Sequence, residues 1–145
     1  MEVSSGRKGK GEFIAWYASN YPLSAVVRIG GPNAGHTMTL AGKAYKMRHI
    51  PCAWHTPARL YLGPGALIDL HVLESEFAMI EREHQYHVPI LHIDRSAVVI
   101  TNEHRAAEQS RDMWTKIGST LEGVGAARAD RLMRNAKIWR DYPIV

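Results

Sequence analysis

Cysteine is almost absent: Cys52 is the only one in 145 residues. One thiol cannot build an internal disulfide framework or a multi-cysteine zinc site. Long apolar runs are missing too. No segment approaches the roughly 20 apolar residues that cross a bilayer. The N-terminus, Met1-Glu2-Val3-Ser4-Ser5, has no apolar signal-peptide core. The expectation is a cytoplasmic protein with no membrane partner. There is also no internal repeat, no low-complexity stretch and no strong excess of one charge. Lys and Arg number 18 against 14 Asp and Glu, a net charge of +4. Such an excess permits an anionic partner (nucleotide, nucleic acid or phosphate) without choosing among them. With 46% apolar and 22% charged residues, a disordered tail and a collagen-like fibre are excluded. By length alone the chain reads as one domain able to bury a core.

The pattern of elements is α/β. Phe13-Ile14-Ala15-Trp16-Tyr17 reads as a short helix ending near Ser19-Asn20, before Pro22. Residues 25–29 read as a β-branched strand, and residues 37–40 and 44–48 as a hairpin turning at Ala41-Gly42-Lys43. Arg59-Leu60-Tyr61-Leu62 is a further strand, closed by Gly63-Pro64-Gly65. Asp69 is placed to cap a helix whose Leu70, Leu73, Phe77 and Ile80 share one face, with Glu74, Glu76, Glu81 and Arg82 pointing elsewhere. Residues 88–93 and 97–100 are strand-like. Asn102 is a candidate cap for a helix over 103–111, and residues 126–136 read as a polar, Arg-rich helix. Strands alternating with helices indicate layers around a mostly parallel sheet.

Three glycine-containing loops could carry chemistry. The first is Gly6-Arg7-Lys8-Gly9-Lys10-Gly11. Its glycines let backbone N–H groups approach an anion, a helix opens directly after it, and Lys10 can reach phosphate oxygens. The spacing is not that of a Walker A loop, and a flexible basic N-terminus is the plain alternative. The second is Gly30-Gly31-Pro32-Asn33-Ala34-Gly35-His36-Thr37, which leaves a strand where α/β ligand sites gather. His36 can act there as an acid or as a donor to phosphate. The plain alternative is a turn with a chance histidine. The third runs from Lys116 to Gly125, with Ser119 and Thr120 beside glycines, suited to phosphate or ribose or to nothing more than preceding a helix.

In this order and spacing the three loops resemble those of adenylosuccinate synthetase, the enzyme family that joins aspartate to inosinate with GTP. The family's Gly-Asp-Glu-Gly-Lys-Gly-Lys is similar to Gly6 to Glu12. Its Asn-Ala-Gly-His-Thr stands intact at Asn33, Ala34, Gly35, His36 and Thr37. Its Ile-Gly-Thr-Thr-Gly-x-Gly-x-Gly-Pro looks like Ile117 to Ala126. Leu62-Gly63-Pro64-Gly65, Asp94-Arg95 and Ala129-Asp130-Arg131-Leu132-Met133-Arg134 also match. Compact archaeal-type members, and phage enzymes acting on a guanine deoxynucleotide, look closest.

The resemblance implies a P-loop NTPase-like, mostly parallel sheet with flanking helices, incomplete relative to the family. Residues 1–145 would form a single, truncated nucleotide-binding domain. It implies phosphoryl transfer to the 6-oxygen of IMP or a guanine nucleotide, displacement by L-aspartate, GTP or ATP as donor, and Mg2+. The implied partners are a purine mononucleotide, a nucleoside triphosphate and aspartate, with a second copy or a complementing C-terminal half. By the same resemblance Gly6, Gly9, Lys10, Gly11, Gly35, His36 and Thr37 contact the donor nucleotide. Gly35 offers its carbonyl to magnesium, and His36 is the catalytic acid. Asn33, Ala34, Thr120 and Arg134 hold the inosinate. Arg7 occupies the position of the family's aspartate base and has no acceptor to replace it. Leu121 stands for a glycine and Glu122 for an arginine or small residue. Two other readings remain open: a non-catalytic nucleotide- or phosphate-binding remnant and, less favoured, a basic nucleic-acid-binding protein. His84, His87 and His92 could suggest a metal, but their spacing mixes element types, which favours structural roles. Cys52 reads as a small buried side chain. Trp16, Trp54, Trp114 and Trp139 read as core or subunit-contact residues.

Overall fold

The computed structural model describes residues 9–84, 89–110 and 120–141. Helix α1 (Gly9–Asn20) carries Glu12 in its first turn, where the helix dipole favours a carboxylate. It begins earlier than its apolar run predicts. It closes with the Asn20 side chain donating to the Trp16 carbonyl at 2.7 Å, just before Pro22. Only Gly11 and Ala15 of α1 are buried. Phe13, Trp16, Tyr17 and Tyr21 form an exposed chain of touching rings. Trp16 is thus outside the core, whereas Trp54 is inside it; Trp114 and His87 lie outside the described residues.

Strands β1 (Ala25–Arg28), β4 (Arg59–Leu62) and β6 (Leu91–Ile93) form a parallel sheet in the order β1-β4-β6. Strands β5 (Leu67–Ile68) and β7 (Val98–Val99) form a second parallel pair. The Gly63-Pro64-Gly65 turn breaks β4 from β5, but pairing resumes beyond it: the Leu67 amide donates to the Gly30 carbonyl at 2.9 Å. The mostly parallel sheet expected from the alternating pattern is present, divided at this turn. Between β1 and β4 the chain makes an antiparallel hairpin, β2 (His36–Leu40) with β3 (Lys43–Met47). Its turn residues Ala41 (φ 48) and Gly42 (φ 79) are both left-handed, as a two-residue turn matched to strand twist requires.

Helix α2 (Leu70–Glu83) starts at Asp69, whose carboxylate accepts from the His71 and Val72 amides. Leu73 and Ile80 are buried as the periodicity predicts. Glu76 is buried with them, contrary to the expectation that it faces away. Helix α3 (Asn102–Ser110) includes Asn102 rather than being capped by it; the Thr101 amide instead donates to His104 Nδ1 at 2.9 Å. Helix α4 (Val124–Leu132) starts and stops earlier than 126–136. It stops because Arg134 is left-handed (φ 60). The main core gathers Met38, Met47, Ile50, Trp54, Leu60, Leu62 and Ile80, and a smaller cluster of Leu67, Val98, Ile100, Val124 and Ala127 seats α4.

Candidate functional site

Helix α1 lies against β2 because Gly11 has no side chain. A Cβ there would stand 2.5 Å from the Thr37 carbonyl and 3.1 Å from the Cys52 sulfur. The contact brings the first glycine loop's helix onto Thr37, the last residue of the second motif. Lys10, Gly11, Arg28, His36 and Cys52 then line one cavity of about 240 Å³ at the carboxyl end of β1. Cys52 is buried, and burial pushes its thiol up to about 12. That fits the expected small core side chain rather than a nucleophile.

The second loop is held by two arginines that sequence reading passed over. Arg28 donates through Nη2 to the Ala34 carbonyl, and through Nε and Nη2 to the Arg48 carbonyl at 3.2 and 3.0 Å. Arg48 in turn donates through Nε to the Pro32 carbonyl at 2.6 Å and pairs with Glu122 of the third loop. Asn33, Ala34 and Gly35 remain exposed on the loop's outer side. The signal for Arg28 was a charge within an otherwise apolar strand; for Arg48 there was none.

His36 opens β2 with its ring half-buried. Nε2 lies 2.8 Å from the Ile50 carbonyl, and because a carbonyl only accepts, Nε2 carries the hydrogen. Nδ1 is buried, and no hydrogen bond of good geometry reaches it. Burial first, then the charge of Arg28, lowers the ring's pKa to about 4, against a smaller upward pull from the Ile50 and Ala34 carbonyls. The free ring is therefore neutral, and an anion arriving beside it favours the charged form.

The third motif is only partly described: Thr120 is exposed and Ile117 to Ser119 lie outside the described residues, as do Gly6 and Arg7 of the first loop. Leu121, at the family's glycine position, is left-handed (φ 55), the conformation glycine adopts freely. Glu122 does not stand alone as a negative charge, because Arg48 neutralises it. Gly123 (φ 80) leads into α4 with no side-chain cap of its own. The carboxylate of Glu108 replaces one, accepting from the amides of Gly123, Gly125 and Ala126 at 2.9, 2.7 and 3.1 Å. Arg134 sits exposed beyond the other end of α4. A nine-residue helix is about 14 Å long, so Thr120 and Arg134 are not brought together.

Among the described residues no group of three His, Cys, Asp or Glu could hold a metal ion. His84 accepts or donates to the Tyr45 hydroxyl at 3.0 Å, and His92 stacks on Tyr61. The Gly35 carbonyl is a single oxygen, one residue beyond the Ala34 carbonyl that Arg28 grips. The described residues therefore do not by themselves form a magnesium site.

A family model for adenylosuccinate synthetase matches residues 3–142. The chain belongs to the adenylosuccinate synthetase family. Curated synthetases from Methanococcus vannielii and Pyrococcus horikoshii are 37% and 35% identical to it over 140 residues, each covering 94% of this chain. The chain spans about two fifths of those relatives, 40% of each. Among solved structures, the fully ligated adenylosuccinate synthetase of Plasmodium falciparum superposes with a TM-score of 0.77 at 22% identity, covering 93% of this chain and 33% of its own. That likeness concerns the fold. The succinoaminodeoxyadenylate synthetase of cyanophage S-2L, solved with dGMP and with dATP as energy donor, superposes with a TM-score of 0.72 at 27% identity, covering 93% of this chain and 39% of its own. The archaeal and phage likenesses expected from the motifs are both present. No helix among the described residues is long and apolar enough to cross a membrane.

Proposed function

We propose that this chain supplies the phosphate-handling part of an adenylosuccinate synthetase-type ligation in purine nucleotide synthesis. In that reaction L-aspartate joins IMP or a guanine nucleotide through a 6-phosphoryl intermediate, with GTP or ATP as donor. The observation that carries the reading is the single cavity shared by Lys10, Gly11 and His36. Gly11, packed against Thr37, and the glycines Gly6 and Gly9 before it supply backbone N–H groups for the donor phosphates, and Lys10 adds a point charge. His36 acts at the phosphoryl group in transit. Asn33 and Ala34, exposed beside it, hold the purine nucleotide with Thr120. Arg134, at the far end of α4, serves a mononucleotide only if a second copy or a complementing C-terminal half brings its site there. Magnesium at the Gly35 carbonyl is what the family resemblance implies, and none of these roles depends on it. The cytoplasm, with its nucleotide and aspartate pools, is the proposed location.

Calorimetry with GTP, ATP, IMP and GMP tests this. At least one purine nucleotide should bind, and Lys10→Ala should weaken triphosphate binding roughly tenfold or more, the loss of one charge-assisted contact. No heat with any of the four overturns the reading. Arg7 favours a second reading, a nucleotide-binding protein without turnover, since a guanidinium cannot take a proton from the purine. Phosphate release by the chain paired with a relative's C-terminal portion, lost in His36→Ala, decides for the ligase; binding with no release decides for the second.

A further inference from the structure

A carboxylate is seldom fully buried unless its oxygens are satisfied. Glu76 is 6% exposed, in the middle of α2, one turn from Leu73 and from Ile80. Its carboxylate accepts from three successive amides. Arg48 N–H reaches Oε1, His49 N–H stands 3.2 and 3.1 Å from the two oxygens, and Ile50 N–H is 2.8 Å from Oε2. Three consecutive N–H groups facing one anion make a nest. These residues follow the end of β3, where the hairpin offers them no strand partner. Arg28 grips the same segment from its other side, through the Arg48 carbonyl, and its charge offsets that of Glu76.

Ile50 is fully buried and fixed at both ends: its N–H on Glu76, its carbonyl on the His36 ring. We infer that Glu76 is a positioning residue for His36, holding residues 48–50 so that the Ile50 carbonyl fixes the imidazole in one orientation and one tautomer. The tautomer has Nε2 protonated and leaves the buried Nδ1 as the ring's unprotonated nitrogen. The purpose of this rests on the reading of His36 as the group acting on phosphate; the geometry does not. An apolar side chain at position 76 would fill the space at no cost in buried charge. It would leave the three amides without an acceptor and the Ile50 carbonyl free to turn.

The test is long-range 1H–15N NMR on the full chain with 15N-labelled histidine, at neutral pH and without nucleotide, because it reads the tautomer directly. The wild-type His36 should show the Nε2–H form alone. In Glu76→Gln, whose amide nitrogen cannot accept, the two tautomers should mix. The His49 and Ile50 amides should exchange with solvent roughly tenfold faster or more, the loss of a hydrogen bond to a charged group. Glu76→Asp keeps the charge and should retain the Nε2–H form in part. A wild-type ring in the Nδ1–H form overturns the inference even if no variant folds. So does a Glu76→Gln variant that melts earlier while His36 keeps its single tautomer. Nucleotide calorimetry on the same wild-type sample separates the two ideas: failure to bind removes the proposed function and leaves the His36 tautomer result standing on its own.

Discussion

His49 is 1% exposed, and the Asp69 amide donates to its Nε2 at 3.0 Å, so that nitrogen carries no proton. Burial first, then the charge of Arg28, lowers its pKa to about 4; Asp69 pulls the other way, and Arg48 and His36 add to the lowering. Unfolded, the ring titrates near its ordinary value of about 6.5. Between about 6.5 and about 4 the unfolded chain therefore binds a proton that the folded chain refuses. Stability is highest above the window, falls as pH drops through it, and levels off below. One such group gives a slope of about 1.4 kcal/mol per pH unit and a total near 3 kcal/mol. His36, also lowered to about 4, acts in the same window. The expected outcome for His49→Asn, followed by urea midpoints from pH 7 to 4, is a profile shallower by about one proton's worth. An unchanged slope would show that His49 already titrates normally in the fold. Nothing in the sequence marked this histidine, because what silences it is burial by distant elements rather than its neighbours in the chain.

At the scale of elements, short-range chemistry was legible and long-range chemistry was not. Asp69 as a cap, the left-handed turn at Ala41 and Gly42, and strand β4 all follow from residues adjacent in sequence. Glu76 was expected to face away from the core and Glu108 was not singled out, yet each is buried under a run of backbone amides. The most distant such amides are 28 residues from Glu76 and 18 from Glu108 along the chain. No local pattern announces an acceptor whose donors lie that far away. The early start of α4 is the visible consequence, because Glu108 satisfies amides that would otherwise be orphaned at a helix start. Glu108→Gln puts an N–H2 group against these donors. It should cost about 2 kcal/mol or more in urea unfolding. Fast amide exchange should be concentrated at Gly123, Gly125 and Ala126. Uniform exchange along α3 and α4 would show that the carboxylate is not what anchors the helix.

Across the whole molecule, the motif order in the sequence identified the family and the α/β layering, but it placed the loops as three separate features. What joins them is geometry that only folding creates: Gly11 against Thr37, Arg28 across residues 34 and 48, and Arg48 across to Glu122. The last link is the most exposed. Its side chains are 36% and 30% accessible, so water screens the charge pair, and its net worth is about 0.2–1 kcal/mol. Its importance is in connection rather than strength, since Arg48 also donates to the Pro32 carbonyl and thereby ties the second loop to the third. A double-mutant cycle of Arg48→Ala and Glu122→Ala measures that tie. The two changes should be non-additive in stability by about 0.5 kcal/mol, and the coupling should shrink as salt is raised toward about 1 M. Arg48→Ala should cost more than Glu122→Ala, since it also leaves the Pro32 carbonyl without its donor. Strict additivity at low salt would mean that the two loops are held independently, and that Arg48 does not balance the charge of Glu122.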